Sequence, residues 1–546
     1  MNPNAALIIA PVVLPMMAAA VLLLIRDSRR LRGSLVNIFA SCAGLAAAVA
    51  ILWHVNHATG PDAVAVHLTS NWAAPFGIAL VADRLSALML VVVGIVGVGT
   101  SLYAAAGWSR TGSYFHPLFQ ILLMGINGAF LTGDLFNLFV FFEVMLAASY
   151  GLQLHGSGWP RVRSGMHYIA INLLASSLFL IGLAILYGVM GTLSMADVAA
   201  KVPLVPLSDR GLLHAGAAIL AMAFLIKAAV WPLNAWLVPA YTAASTPVAA
   251  LFVLMTKVGV YAVLRLWMLL FPAVDGAATQ FGGPLLLAAG LATLAFGAIG
   301  VLASIRLDRI AAFSVIVTSG TLMASFATGS IAAAAAALFY LVSSTFAVSA
   351  LFLMVEPVQR TRSERHAQRP VYDAMPDEDD NLDDEQLPLV GRAFPVSVAA
   401  LGLAFMACSL LVAGLPPLSG FLSKAAILTA IVGDQAHPAS SSTWILMTLL
   451  LCSSLFTTIS LVRAGIRHFW ASGGRFAPRL KVVESGAVLV LLGACVALTV
   501  FADPVLRYTT ATATYLHAPR PYVDAVFDTP PRPGPTKPEY PQVETP

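Results

Sequence analysis

The chain is divided into runs of about twenty apolar residues, separated by Gly, Pro and clusters of charge. A bilayer core is about 30 Å thick and a helix rises about 1.5 Å per residue, so each run is long enough to cross. Lipid offers the backbone no hydrogen-bond partners, which makes the helix the spanning form for runs of this length. Approximate cores are 5–25, 34–53, 77–104, 115–132, 135–153, 166–190, 212–231, 245–271, 284–304, 309–328, 331–355, 393–431, 442–463 and 483–502. These runs predict an all-α polytopic membrane protein with about 14 transmembrane helices. Of 546 residues, 59% are hydrophobic and 10% charged, against about 25% charged in soluble domains. That excludes soluble enzymes, nucleic-acid binders and disordered scaffolds. The first run lacks a basic flank and leads directly into another, so it reads as a span and not as a signal peptide. Cys42, Cys408, Cys452 and Cys495 lie in apolar runs without CxxC spacing and read as small buried hydrophobes. No cofactor or metal site is expected.

Basic residues sort between alternate loops. With the N-terminus outside, the short inner loops hold Arg26, Arg29, Arg30, Arg32, Arg110, Arg161, Arg163, Arg306, Arg309, Arg463, Arg467, Arg475, Arg479 and Lys481. The short outer loops hold only Lys201 and Arg210. Positive charge stays on the cytoplasmic side, so both termini are expected on the outer side of a cell (inner) membrane. Residues 356–392 carry ten acidic residues and five arginines and read as a solvated, mobile inner loop. Residues 503–546 contain ten prolines and read as an extended tail.

A charge inside the bilayer is costly and marks function by default. Glu143 and Lys227 lie deep in spans five and seven, with no opposite charge nearby on their own helices. They are expected to pair, and moving the carboxylate away favours release of the lysine's proton. Lys257 follows in span eight, one turn before Tyr261. Pro232 interrupts span seven, and Pro416-Pro417 interrupt span twelve just before Lys424. Proline breaks a helix, and paired broken helices in two halves of a chain mark ion pathways. Breaks five spans apart predict two inverted five-helix repeats. The divisions are then a three-span segment 1–110, repeats 111–272 and 273–465, span fourteen within 466–502, and the tail 503–546.

Weaker candidates are Asp134, His214, Thr256, Tyr261, Ser343 and Ser344; the hydroxyls among them are suited to holding water. Asp134 is expected to cap the turn near Gly133. His116 and His167 lie near span ends. Asp83-Arg84 read as an interfacial pair and Arg265 as a snorkelling end residue.

Three stretches carry a resemblance: Gly133-Asp134-Leu135-Phe136-Asn137-Leu138-Phe139-Val140-Phe141-Phe142-Glu143, Lys227-Ala228-Ala229-Val230-Trp231-Pro232-Leu233-Asn234-Ala235-Trp236-Leu237 and Gly414-Leu415-Pro416-Pro417-Leu418-Ser419-Gly420-Phe421-Leu422-Ser423-Lys424. Together they resemble the antiporter-like proton-translocating family. That family includes the large subunits of multisubunit cation/proton antiporters of the Mrp type, the D-type subunit above all, and the antiporter-like subunits of respiratory complex I. The resemblance implies a proton-moving ion transporter subunit, not an enzyme, working with other membrane subunits on protons and Na+ or K+. By that likeness Glu143 and Lys227 form the ion pair, Lys257 bridges and Lys424 ends the relay. The resemblance implies a histidine in span eleven, as many members of the family carry; Ser343 or Ser344 stands there here, so water and hydroxyls are expected to replace it. A pumping subunit of complex I or of a membrane hydrogenase shares these motifs. A stand-alone solute transporter and a silent scaffold are further alternatives.

Overall fold

The computed structural model describes residues 3–25, 30–58, 64–107, 114–272, 281–367, 396–433, 441–470 and 481–531. In chain order the helices are α1 (Pro3–Leu24), α2 (Arg30–His57), α3 (Arg84–Ala105), α4 (Phe115–Leu131), α5 (Leu135–Gln153), α6 (Trp159–Met190), α7 (Met195–Lys201), α8 (Arg210–Lys227), α9 (Leu237–Ala243), α10 (Thr246–Leu270), α11 (Gly283–Ala303) and α12 (Leu307–Phe326). They continue as α13 (Ile331–Ala367), α14 (Val396–Ala413), α15 (Ser419–Val432), α16 (Ser441–Gly465), α17 (Val482–Val500), α18 (Ala502–Leu516) and α19 (Arg520–Phe527). Thirteen helices among the described residues are long and apolar enough to span a bilayer. The shorter α4 corresponds to the fourth expected run, and α15 forms the second half of the interrupted twelfth.

Three expectations are corrected. Span three does not begin as helix: Ala79–Ala82 is strand β2, antiparallel to β1 (Ala65–Leu68), with Ala65 opposite Ala82. Asp83 then caps α3 by accepting from the Ser86 backbone N–H at 2.9 Å, so the helix starts at Arg84. Residues 503–531 are not an extended tail. They form α18 and α19, whose prolines sit in the first turn or just outside, where no N–H is lost. The rest of the tail lies outside the described residues. The acidic loop begins later than expected, because α13 continues to Ala367; positions 368–392 lie outside the described residues. Cys408 and Cys495 are buried, whereas Cys42 lies exposed on α2.

The middle of the bundle is formed by α10 and the Ile331–Arg360 part of α13, each with a fully buried apolar stretch long enough to cross a bilayer. The hairpin, α7, α18 and α19 cluster on one side, called here the hairpin face.

Both predicted breaks are present. The first follows Lys227, where Ala229 adopts a left-handed φ of 54° before Pro232. Such a conformation is uncommon without glycine, and the freed groups are re-bonded. Trp236 Nε1 donates to the Ile226 carbonyl at 3.0 Å, and the Trp231 amide donates to Thr293 Oγ1 at 2.8 Å. The second break turns at Gly414, φ 76°, and passes Pro416-Pro417 into α15.

Gly259 lets α10 cross the first break at backbone distance. A Cβ there would lie 2.6 Å from Ala228 N and 2.8 Å from Lys227 C, and a packed main chain cannot yield by rotating a side chain. Gly259→Ala should therefore cost about 1–3 kcal/mol and lower the thermal unfolding temperature of the detergent-extracted protein. An unchanged melting curve would contradict this packing.

Candidate functional site

Three ammonium groups lie inside the bundle: Lys227 is 4% exposed, Lys257 0% and Lys424 5%. A buried charge demands partners, and the three are served differently. Lys257, midway along α10, donates to Thr318 Oγ1 of α12 at 2.5 Å. Lys424, in the second turn of α15, donates to the Ala413 carbonyl at 2.9 Å and to Ser454 Oγ at 2.8 Å. That carbonyl is one of those the broken helix leaves unbonded, and the negative end of the α14 dipole favours a cation there. Lys227 closes α8, and its Nζ has no hydrogen-bond partner among the described residues. Its ammonium sits 5.4 Å from the Phe142 ring centroid, within cation–π range.

Glu143 follows Phe142 on α5 and is only half-buried; its carboxylate accepts the Ser176 hydroxyl of α6. No Glu143–Lys227 ion pair is closed in this structure. The expected partners face one region, with Phe142 beneath the ammonium and Glu143 bonded elsewhere.

Hydroxyls and apolar side chains share the space between Lys257 and Lys424. A small cavity is lined by Ser314, Thr318, Tyr340, Ser343, Ser344 and Thr457 among others, with about 10 Å³ for water, which is room for roughly one molecule. Ser343 on its wall donates to Ser419 at 2.9 Å, in the turn of α15 that leads to Lys424. Ser344 bonds its own helix at Leu341, so Ser343 is the residue that bridges elements. On the other side of Lys257, the Tyr241 hydroxyl lies 2.5 Å from Thr256. Tyr241 lines a cavity of about 310 Å³ with Arg161, Ser245, Arg306, Asp308 and Glu356. This cavity is at the face opposite the hairpin.

The remaining candidates lie apart. Asp134 caps α5 by accepting from the Asn137 amide at 2.8 Å, as expected. Burial pushes its carboxyl above the usual range, against the backbone donors of Asn137 and Phe136. His214 stacks on Phe281 at 4.3 Å in the first half of α8. Tyr261 donates to the Phe130 carbonyl at 2.8 Å. His116 meets Ser34 at 3.1 Å.

Two ionic clusters escaped the sequence reading. Arg265 does not snorkel, and Asp83 is not interfacial: they form a fully buried two-point pair at 2.5 and 2.7 Å. The spacing Lys257, Tyr261, Arg265 places all three on one face of α10, which is the signal that was available. On the opposite face Arg360 joins Glu356 at 2.6 Å and Glu484 at 2.7 Å, tying α13 to α17.

With this geometry established, the comparisons decide the family. The model for the NADH:quinone oxidoreductase/Mrp antiporter transmembrane family matches residues 132–457. The chain belongs to this family. It is 47% identical over 532 residues to the D-type chain of a probable K(+)/H(+) antiporter of Rhizobium meliloti (strain 1021), covering 96% of this chain and 98% of that one. It is 32% identical over 528 residues to the D-type chain of the Na(+)/H(+) antiporter of Alkalihalophilus pseudofirmus, covering 95% and 99%. A chain of the Mrp complex from Dietzia sp. DQ12-45-1b superposes with TM-score 0.79 at 27% identity, over 96% of this chain and 100% of that one. A chain of respiratory complex I from Thermus thermophilus has the same fold, with TM-score 0.72 at 22% identity over 94% and 99%.

The unequal service of the lysines has a consequence for stability. Lys227→Met keeps the volume and removes an ammonium with no hydrogen bond, so the melting temperature should hold or rise. Lys424→Met strands the Ala413 carbonyl and should cost about 1–3 kcal/mol. A larger loss for Lys227→Met than for Lys424→Met would show that Lys227 is paired in the assembled protein.

Proposed function

We propose that the chain is the D-type subunit of a multisubunit monovalent cation/proton antiporter and moves protons along its buried lysines. The observation that carries this reading is the set of three enclosed ammonium groups, two at helix breaks, with hydroxyls from Thr318 to Ser419 between two of them. A static core would bury apolar residues at those positions at lower cost. Protons pass between Lys227 and Lys257 where the helices touch at Gly259, then through Thr318, the small cavity, Ser343 and Ser419 to Lys424. The larger cavity beside Tyr241 connects Lys257 to the cytoplasm. Glu143 moves between Ser176 and Lys227, loading and releasing the first ammonium.

The basic loops orient the protein in a cell membrane with the hairpin face and both termini outside. The two inverted repeats, 111–272 and 273–465, each contribute one broken helix. Other membrane subunits supply the cation path; the relatives are named for potassium in one case and sodium in another. The chain carries transport and no redox chemistry of its own.

The test is cation-dependent collapse of a pH gradient in everted vesicles holding the assembled complex, read separately with Na+ and K+. Glu143→Ala, Lys227→Ala, Lys257→Ala and Lys424→Ala should each reduce exchange on the order of a hundredfold, the scale of a lost proton-transfer group, with assembly intact. Full activity in all four would overturn the relay.

A further inference from the structure

Lys257 has the Tyr241 cavity on one side; toward the hairpin face its own helix carries a different set of residues. Tyr261 and Arg265 follow at one-turn intervals, so Arg265 lies about 12 Å along the axis from Lys257. Each residue on that path ends proton movement. The Tyr261 hydroxyl accepts from Arg265 Nε at 3.3 Å and donates its own proton to the Phe130 backbone carbonyl, which cannot pass one on. Arg265 binds Asp83 through two nitrogens, and a guanidinium stays protonated at any working pH. The Tyr515 hydroxyl, buried at the end of α18, has no hydrogen-bond partner among the described residues.

The surroundings are buried and tied down. The Arg265 guanidinium lies 5.4 Å from the ring centroids of both Tyr261 and Tyr522. Asp83 is 0% exposed and Tyr522 3%. Tyr522 belongs to α19, and α19 packs on α7 and β1. Tyr508 of α18 donates to the Arg84 carbonyl at 2.7 Å, and Arg84 lies 5.6 Å from its ring centroid. The C-terminal helices thus close over the end of α10 and hold the ion pair beneath them. Asp83 offsets the Arg265 charge, so what the pair places across this end of α10 is a guanidinium that cannot release its proton and a carboxylate already occupied by it.

We propose that the Asp83–Arg265 pair, clamped by Tyr522, is an insulating seal that separates the Lys257 segment from the hairpin face. Arg265 and Asp83 are positioning residues and carry no proton. An antiporter needs such a seal because a proton path open to both sides dissipates the gradient without exchange. This inference rests on the reading of Lys257 as part of the route.

The test uses the whole complex in proteoliposomes with an internal pH-sensitive dye. A pH gradient is imposed with N-methylglucamine as the sole cation and thiocyanate as permeant counter-ion. Asp83→Asn/Arg265→Gln removes both charges together, so neither is stranded. It should raise the cation-independent decay several-fold. Tyr522→Ala leaves the pair intact, opens the clamp and gives the same readout should the double variant fail to assemble. Adding Lys257→Gln should return the leak to the wild-type rate. Tight vesicles from assembled variants, with or without loss of exchange, would overturn the seal and leave the relay standing. A leak that survives Lys257→Gln would mean a route that bypasses Lys257, overturning the seal in this form and the reading on which it rests.

Discussion

Burying an ammonium group in a packed helical core is the constraint on which the rest of this structure depends. Without a partner the cost is several kcal/mol, and an apolar bundle has few partners to offer. Breaking a helix creates one, because its last carbonyls lose their donors. Lys424 takes such a carbonyl from the Gly414–Pro417 break. Lys257 lies in an unbroken helix and takes a hydroxyl from its neighbour. Lys227 is left on the face of Phe142. The weakest-held ammonium therefore lies beside the half-buried carboxylate of Glu143, where a change of partner requires the least rearrangement.

The same physics explains which parts were legible in sequence. Long apolar runs and proline breaks are local signals, and the expected spans emerged as helices, with Lys227 and Lys424 at the two interruptions. Pairings are not local. Asp83 and Arg265 are 182 positions apart, and each reads on its own as an ordinary end residue. The helix-capping role of Asp83, with Ser86 three positions on, and the one-turn ladder from Lys257 to Arg265 were the only hints. Proline counting misled at the tail, since prolines in a first turn permit a helix. The Glu143–Lys227 contact was expected from charge alone, and the structure bonds Glu143 to Ser176 instead. Ser343 and Ser344 were equivalent in sequence; only the packing of α13 against α15 distinguishes the one that reaches Ser419.

The two proposals describe one asymmetry about Lys257. Toward the face opposite the hairpin lie the Tyr241 hydroxyl and a cavity of about 310 Å³, and sideways toward Lys424 lie hydroxyls and a water-sized cavity. Toward the hairpin face lie a permanent ion pair, aromatic rings and a phenol bonded to a carbonyl. Proton traffic would turn sideways at Lys257, from α10 toward α15, because the straight path along its own helix is closed.

That claim is tested most directly by a cryo-electron microscopy map of the assembled complex at a resolution that shows water. The account predicts ordered water between Thr318 and Ser343, within hydrogen-bonding distance of both, and none between Tyr261 and the Asp83–Arg265 pair. A dry Thr318–Ser343 cavity, or a file of waters running past Arg265 to the hairpin face, would contradict it.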